Sequence, residues 1–366
     1  MPHLPRTLLD IPTPALIVDV AAMERNIRRM AAYFAAGPCR LRPHFKAHKT
    51  PEIARRQLAA GSCSGLTCST VSEAEVVASF AGDILIANEI VDRNKCRRAA
   101  ALATGKTITV AVDSVAGLEC VSEAAVAAGV TVGVLIDLNV GQNRCGVAPG
   151  DEAVNLARHA VKMAAIEVRG LMGYEGHAVS IPARAERESL VSESMTQLAM
   201  TARMFAGAGL PIDIVSGGGT GSYDISSAFS EITEIQAGSY VLMDSDYAGL
   251  GIPFEHAVSV LGTVVSRAVP ERCVADCGHK ACTKDHGLPL VKGIMGASVL
   301  ALNDEHATIA IPPSSTLAIG DRVELLPSHI DPTMNLHDVV YALDGDNVIG
   351  VWPIVARGYA EQRLSR

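Results

Sequence analysis

The segment RLRPHFKAHKT, residues 40–50, carries six basic or imidazole side chains among its eleven: Arg40, Arg42, His44, Lys46, His48 and Lys49. A lysine crowded by cations and shielded from water loses its proton readily and becomes a nucleophilic amine. Left on a solvated strand-to-helix loop, the same residues are only hydrated charges. Further along, SGGGTGS (216–222) and QAGSY (236–240) are rich in glycine. Unobstructed N–H groups and access to positive φ suit such segments to cradle an anion such as a phosphate. A plain flexible turn has the same composition.

The basic cluster is a local exception. The chain has 366 residues and a net charge of −8, which argues against a general nucleic-acid binder that works by neutralising phosphates. Apolar residues make up 49% and charged residues 19%, so burial can drive folding. Nine cysteines without a regular frame read as reduced thiols, and the expected location is the cytoplasm. The N-terminus has no secretory signal pattern, and no stretch reaches the roughly 18 apolar residues needed to span a bilayer. Neither a membrane nor a nucleic acid is an expected partner.

The elements that must position these residues form a rhythm of eight. Strand-like runs stand at 40–45, 64–69, 83–88, 107–113, 131–137, 166–177, 212–217 and 232–241. Helix candidates include 50–60, 72–81, 114–128, 150–163 and 182–208, with a weak one near 222–230. Eight strand–helix units over about 200 residues predict a (β/α)8 barrel, with a doubly wound open sheet as the alternative. After residue 250 helical periodicity fades and strand-like runs predict an antiparallel β domain. The run ALIVDV (15–20) precedes the barrel and is able to pair into that second domain. The expected division is therefore a barrel over 21–250 and a β-rich domain from 1–20 plus 251–366.

Barrel active sites lie at the carboxyl ends of the strands. By order alone, Lys46 follows the first run and Arg144 the fifth, Tyr174, Glu175 and His177 stand at the end of the sixth, Ser216–Ser222 follow the seventh, and Gly238–Tyr240 lie on the eighth. Phosphate sites favour the last two positions. A phosphate there and a lysine past the first strand suggest pyridoxal phosphate.

DIPTPALIVD, LRPHFKAHKT, GLTCSTVSEAE, VGQNRCGV, GYEGHA, SGGGTGS, QAGSYVLMDSDY, GDRVELLPSHIDPTMNLHD and VWPIVARG occur in this order. Together they resemble the alanine-racemase-like, fold-type III pyridoxal-phosphate enzymes. Within that group they look like the branch of D-threonine aldolases, 3-hydroxy-D-aspartate aldolases and D-serine dehydratases. The resemblance implies that Lys46 is the Schiff-base lysine, that Arg144 lies near the cofactor's phenolic oxygen and that Tyr174 contacts its ring. It implies a phosphate cup from Ser216, Gly218, Gly219, Thr220, Gly238, Ser239 and Tyr240, and a homodimer with shared active sites.

The same resemblance implies a divalent ion on His329 and Asp331. On an extended segment residues i and i+2 face one side, so the pair is able to share an ion. Imidazole with carboxylate points to manganese first, with magnesium, cobalt and zinc as alternatives. An Asp-Pro turn beside a surface histidine is the competing reading. RCVADCGHKACTKDHG (272–287) holds Cys273, Cys277, His279, Cys282 and His286, yet it has no CxxC pair. It is read as a segment without a metal, whose His279 and Lys280 edge the active site.

The expected reaction is reversible retro-aldol cleavage of a D-β-hydroxy-α-amino acid to glycine and an aldehyde, with His177 as base or hydroxyl contact. The alternatives are 3-hydroxy-D-aspartate cleavage, dehydration of D-serine or 3-hydroxyaspartate, and racemisation with Tyr341 or Tyr359 as second acid/base.

Overall fold

Strands covered by helices on one side and by a packed interior on the other read as apolar runs, because both faces are buried. The computed structural model of the chain describes residues 4–358. It begins with β1 (Ala15–Asp19) and α1 (Val20–Ala35), followed by β2 (Arg40–Leu41), α2 (Pro51–Ala59), β3 (Leu66–Cys68) and α3 (Val71–Val77). Then come β4 (Asp83–Glu89), α4 (Arg93–Leu102), β5 (Thr107–Val112), α5 (Val115–Ala128), β6 (Val132–Asp137) and α6 (Asp151–Ala160). The alternation ends with β7 (Ile166–Met172), α7 (Arg184–Gly207), β8 (Ile214–Gly217), α8 (Tyr223–Ser226) and β9 (Glu234–Ile235).

Strands β2 to β9 make one eight-stranded sheet. Every pairing in it is parallel. Bridges from Leu41 to Cys63 and from His44 to Thr67 join its first strand back to the β3 side, so the sheet closes into the expected barrel. Helix starts follow local chemistry. Thr70, Asp92 and Ser114 cap α3, α4 and α5 through side-chain oxygens, and Gly129 at φ 66° ends α5. Helices α1 and α4 add to those read from periodicity. The inner face of α4 consists of Cys96, Ala99 and Ala100, too weakly apolar to stand out beside its arginines and lysine.

Two layers fill the barrel unit. Leu85, Ala111, Leu135, Met172 and Ile214, one from each of β4 to β8, form an apolar cluster. A polar layer links the end of β2 with β4, β5, β7 and β9. Arg42, only 2% exposed, bonds Glu234 and Asp83, each at 2.7 Å. Arg169 reaches Thr109 at 2.7 Å and lies 3.7 Å from Asp83. Gly133 makes room for it, since a Cβ there would stand 2.6 Å from Arg169 Cδ. Breaking a buried pair leaves an uncompensated charge, at about 3–5 kcal/mol. Arg42→Met is therefore expected to lower unfolding stability by about that amount, read from the denaturant midpoint.

The second unit holds β1 and nearly all the chain after residue 238. Its elements are α9 (Ser245–Ala248), β10 (Val258–Val269), β11 (Arg272–Ala275), β12 (Leu290–Val291), β13 (Ser298–Leu302) and β14 (Ala307–Ala310). They continue with β15 (Arg322–Leu326), α10 (Ile330–Asn335), β16 (Val339–Asp344) and β17 (Asn347–Pro353). The run at 15–20 does pair here: β1 lies between β10 and β16. It is antiparallel to β10 but parallel to β16, so this sheet is mixed and not wholly antiparallel. Ile11, Ala15, Ile17, Leu261 and Leu343 form a core cluster against which Tyr341 packs, whereas Tyr359 lies outside the described residues. No helix among the described residues is long and apolar enough to cross a membrane.

Candidate active site

Lys46 sits in a single 3-10 turn, Phe45–Ala47, separated from β2 by Arg42, Pro43 and His44, and is half-buried. Its basic neighbours in sequence are not a uniform cationic surround. Arg42 is neutralised by Glu234 and Asp83, Lys49 donates to the Ala356 carbonyl at 3.1 Å, and His48 Nδ1 accepts the Thr50 N–H at 3.1 Å.

Past β8 the backbone turns through Gly218 at φ 73°. A Cβ on Gly217 would come 2.8 Å from the Gly173 carbonyl, and one on Gly218 would come 2.8 Å from Ile235 Cδ1. At Gly219 the Tyr174 ring would lie 3.4 Å away. The glycines thus let the loop pack closely on Gly173 and Ile235, and its backbone, without side chains and bordered at Gly219 by the Tyr174 ring, has the composition that suits the phosphate end of an aromatic cofactor. Thr220 is buried, and Ser216 Oγ accepts from Gln236 Nε2 at 2.8 Å. Strand β9 covers only Glu234–Ile235. Gly238 therefore lies beyond it and Ser239 and Tyr240 in a 3-10 turn, where the sequence reading set all three on the strand. Tyr240 is buried, its ring 5.6 Å from that of Phe254.

Arg144 is exposed, with its guanidinium 5.9 Å over the Tyr174 ring, a cation–π approach. Near it is an acid that the sequence reading did not name. Asp137, at the end of β6, has its carboxyl pushed up to about 8, chiefly by burial and further by Glu89, with Arg144 opposing. Glu89, Asp113 and Cys145 gather their ligand atoms within 4.8 Å of one another. His177 follows β7 on an exposed turn, its ring against Gly141, where a Cβ would meet Cε1 at 2.8 Å.

The second unit carries the histidine cluster. His329 caps α10 with extended backbone, and Asp331 already belongs to the first helical turn. The two are therefore not successive same-face residues of one extended segment. Asp244 braces this start by accepting the Ile330 N–H at 3.2 Å; its carboxyl is raised to about 6, mainly by burial.

His329 Nδ1 is 2.6 Å from Asp285 Oδ2, and His286 Nδ1 is 3.1 Å from Asp246 Oδ2. The rings stack at 4.2 Å. Each histidine thus has Nδ1 held by a carboxylate, leaving Nε2 as the second ring nitrogen, the support that metal-bound imidazoles use. Ligand atoms of Asp285, His286 and His329 lie within 4.8 Å of one another, a trio of two imidazoles and a supporting carboxylate whose chemistry suits a divalent ion. Its first two members close the segment read above as free of ligands. Cys273, Cys277 and Cys282 are buried in that segment, and burial raises all three thiols. Of this trio of Asp285, His286 and His329, only His286 was singled out in that segment; Asp285 beside it gains meaning once His329 is brought near.

A closed barrel with a lysine past its first strand and a glycine cradle past its seventh, joined in one chain to a β-rich unit, defines the fold-type III class of pyridoxal-phosphate enzymes. The chain belongs to the alanine racemase N-terminal domain family, whose profile matches residues 18–246, with a serine dehydratase domain matching 257–343. It is 38% identical over 359 residues to a D-threonine aldolase of Arthrobacter sp., covering 96% of this chain and 94% of that protein. A 3-hydroxy-D-aspartate aldolase of Paracoccus denitrificans is 35% identical, with 95% of this chain and 93% of that protein covered. The solved structure of D-threonine aldolase from Filomicrobium marinum superposes with a TM-score of 0.94 at 38% identity, over 97% of this chain and 98% of that one.

Proposed function

We propose that this protein is a pyridoxal-phosphate- and divalent-metal-dependent aldehyde-lyase that cleaves D-β-hydroxy-α-amino acids, D-threonine first, to glycine and an aldehyde. The observation that carries the reading is the likeness to D-threonine aldolase along nearly the whole chain, with Lys46 at the first strand's end.

In this reading Lys46 holds the cofactor's aldehyde, the loop from Ser216 to Thr220 with Gly238, Ser239 and Tyr240 receives its phosphate, and Tyr174 borders its ring. Arg144 supplies positive charge for its phenolic oxygen. The bound cofactor supplies an electron sink for the pair left at Cα when the Cα–Cβ bond breaks. Lys46 would also be the group that carries the proton Cα gains to give glycine. His329 with Asp331 would hold the ion, manganese first, whose positive charge would lower the pKa of the substrate β-hydroxyl. His177 is the proposed acceptor of that proton. Homodimerisation belongs to the same reading.

Products separate the alternatives. Incubated with D-threonine, the protein is expected to yield acetaldehyde and glycine. Glyoxylate and glycine formed faster from 3-hydroxy-D-aspartate would move the assignment to that substrate, which the 35% identical relative favours. Ammonia with a 2-oxo acid would mean dehydration, and inversion at Cα without cleavage would mean racemisation. Either result as the main product overturns the aldolase reading.

A further inference from the structure

Glu175 follows Tyr174 after β7 and is 0% exposed. A buried acid side chain is costly unless its oxygens are satisfied, and here three donors converge on it. Oε2 accepts the Gly218 N–H at 3.1 Å. Oε1 accepts the Ser222 hydroxyl at 2.6 Å and the Ser226 hydroxyl at 2.7 Å. Ser222 Oγ in turn accepts the Gly219 N–H at 3.0 Å. One side chain therefore holds two consecutive glycine N–H groups, the first directly and the second through a serine relay. Through Ser226 it also ties the loop to α8.

We infer that Glu175 is a positioning residue that pre-shapes the Gly217–Thr220 cradle for a phosphate monoester. The inference rests on the reading of that loop as the cofactor's phosphate site. Glycines have no side chains to lock a loop, and Gly218 sits at φ 73°, where the unbraced chain has many other conformations. A brace from below removes that freedom before the ligand arrives, so less ordering is charged against binding.

The sign of the effect separates this role from simple electrostatics. A carboxylate near an anion site repels the anion, so charge alone predicts tighter phosphate binding when Glu175 becomes neutral. Positioning predicts the reverse. In Glu175→Gln the amide NH2 either meets the Gly218 N–H, donor against donor, or displaces a serine hydroxyl from donating.

The test strips the purified holoenzyme of cofactor and titrates it with pyridoxal phosphate and, separately, with pyridoxal, which lacks the phosphate. Relative to wild type, Glu175→Gln is expected to weaken pyridoxal phosphate about tenfold or more, the scale of lost hydrogen bonds to an ionised group. Pyridoxal binding is expected to change less than about twofold, because the brace acts only through the loop. Equal losses for both ligands would reduce Glu175 to a fold brace, and unchanged or tighter pyridoxal phosphate would leave only its charge; either overturns the inference. Should Glu175→Gln fail to fold, Ser222→Ala breaks the relay to Gly219 and decides the question by the same two titrations. Wild-type protein that binds neither ligand would sink the cofactor reading itself, a separate result.

Discussion

Lys46→Ala is expected to lower cleavage of D-threonine by about 10⁴-fold or more, the scale seen when a group acting as one unit with its neighbours is removed. The loss follows from position. Lys46 is the lysine in the first turn past β2, half-buried beyond the carboxyl end of a barrel strand. A covalent readout accompanies the kinetic one: borohydride reduction of the wild-type holoenzyme is expected to fix the cofactor on the tryptic peptide carrying Lys46. Lys49 is the internal control, because its amine donates to the Ala356 carbonyl at 3.1 Å. Lys49→Ala should keep the label and the visible absorption band. A label found on Lys49 instead would remove Lys46 from the proposed chemistry.

Removal of the divalent ion carries the second large effect. Exhaustive chelation is expected to reduce cleavage by about 10²–10⁴-fold, the contribution of assisted proton transfer from the hydroxyl, and manganese should restore it. His329→Ala should match the chelated enzyme and resist restoration. Asp285→Asn should behave differently. It leaves the imidazole in place but loses the carboxylate 2.6 Å from Nδ1, so metal affinity falls about 10–100-fold while saturating manganese recovers most of the rate. Full activity in protein shown by elemental analysis to be metal-free would eliminate the role given to His329 and Asp331.

Much of the fold is legible in the sequence alone. The barrel rhythm is visible because strands buried on both faces must be apolar runs, and the helices between them repeat with a different period. Lys46, Arg144, Tyr174 and the glycine loop follow from order along that rhythm, since strand ends in a barrel face one mouth. Boundaries were less legible. The eighth run spans 232–241 as a β-branched pattern, yet hydrogen bonding keeps only Glu234–Ile235 as strand. Likewise His329 and Asp331 look like one extended pair, but α10 begins between them at Ile330. Helix α4 hides because alanines and a cysteine form its buried face.

The sequence by itself determined the barrel and its rank of strand ends, which depend on local period and chain order, and its motifs carried the family resemblance that points to Lys46. Only the tertiary structure decided which charges meet. RLRPHFKAHKT reads as a patch of like charges, but barrel closure brings Glu234 to Arg42 across 192 positions and removes that charge from the count. Asp285 reaches His329 across 44 positions, and Glu175 reaches Ser222 across 47. Such pairings leave no periodic trace, because a hydrogen bond between distant residues constrains two side chains without constraining the segments between them.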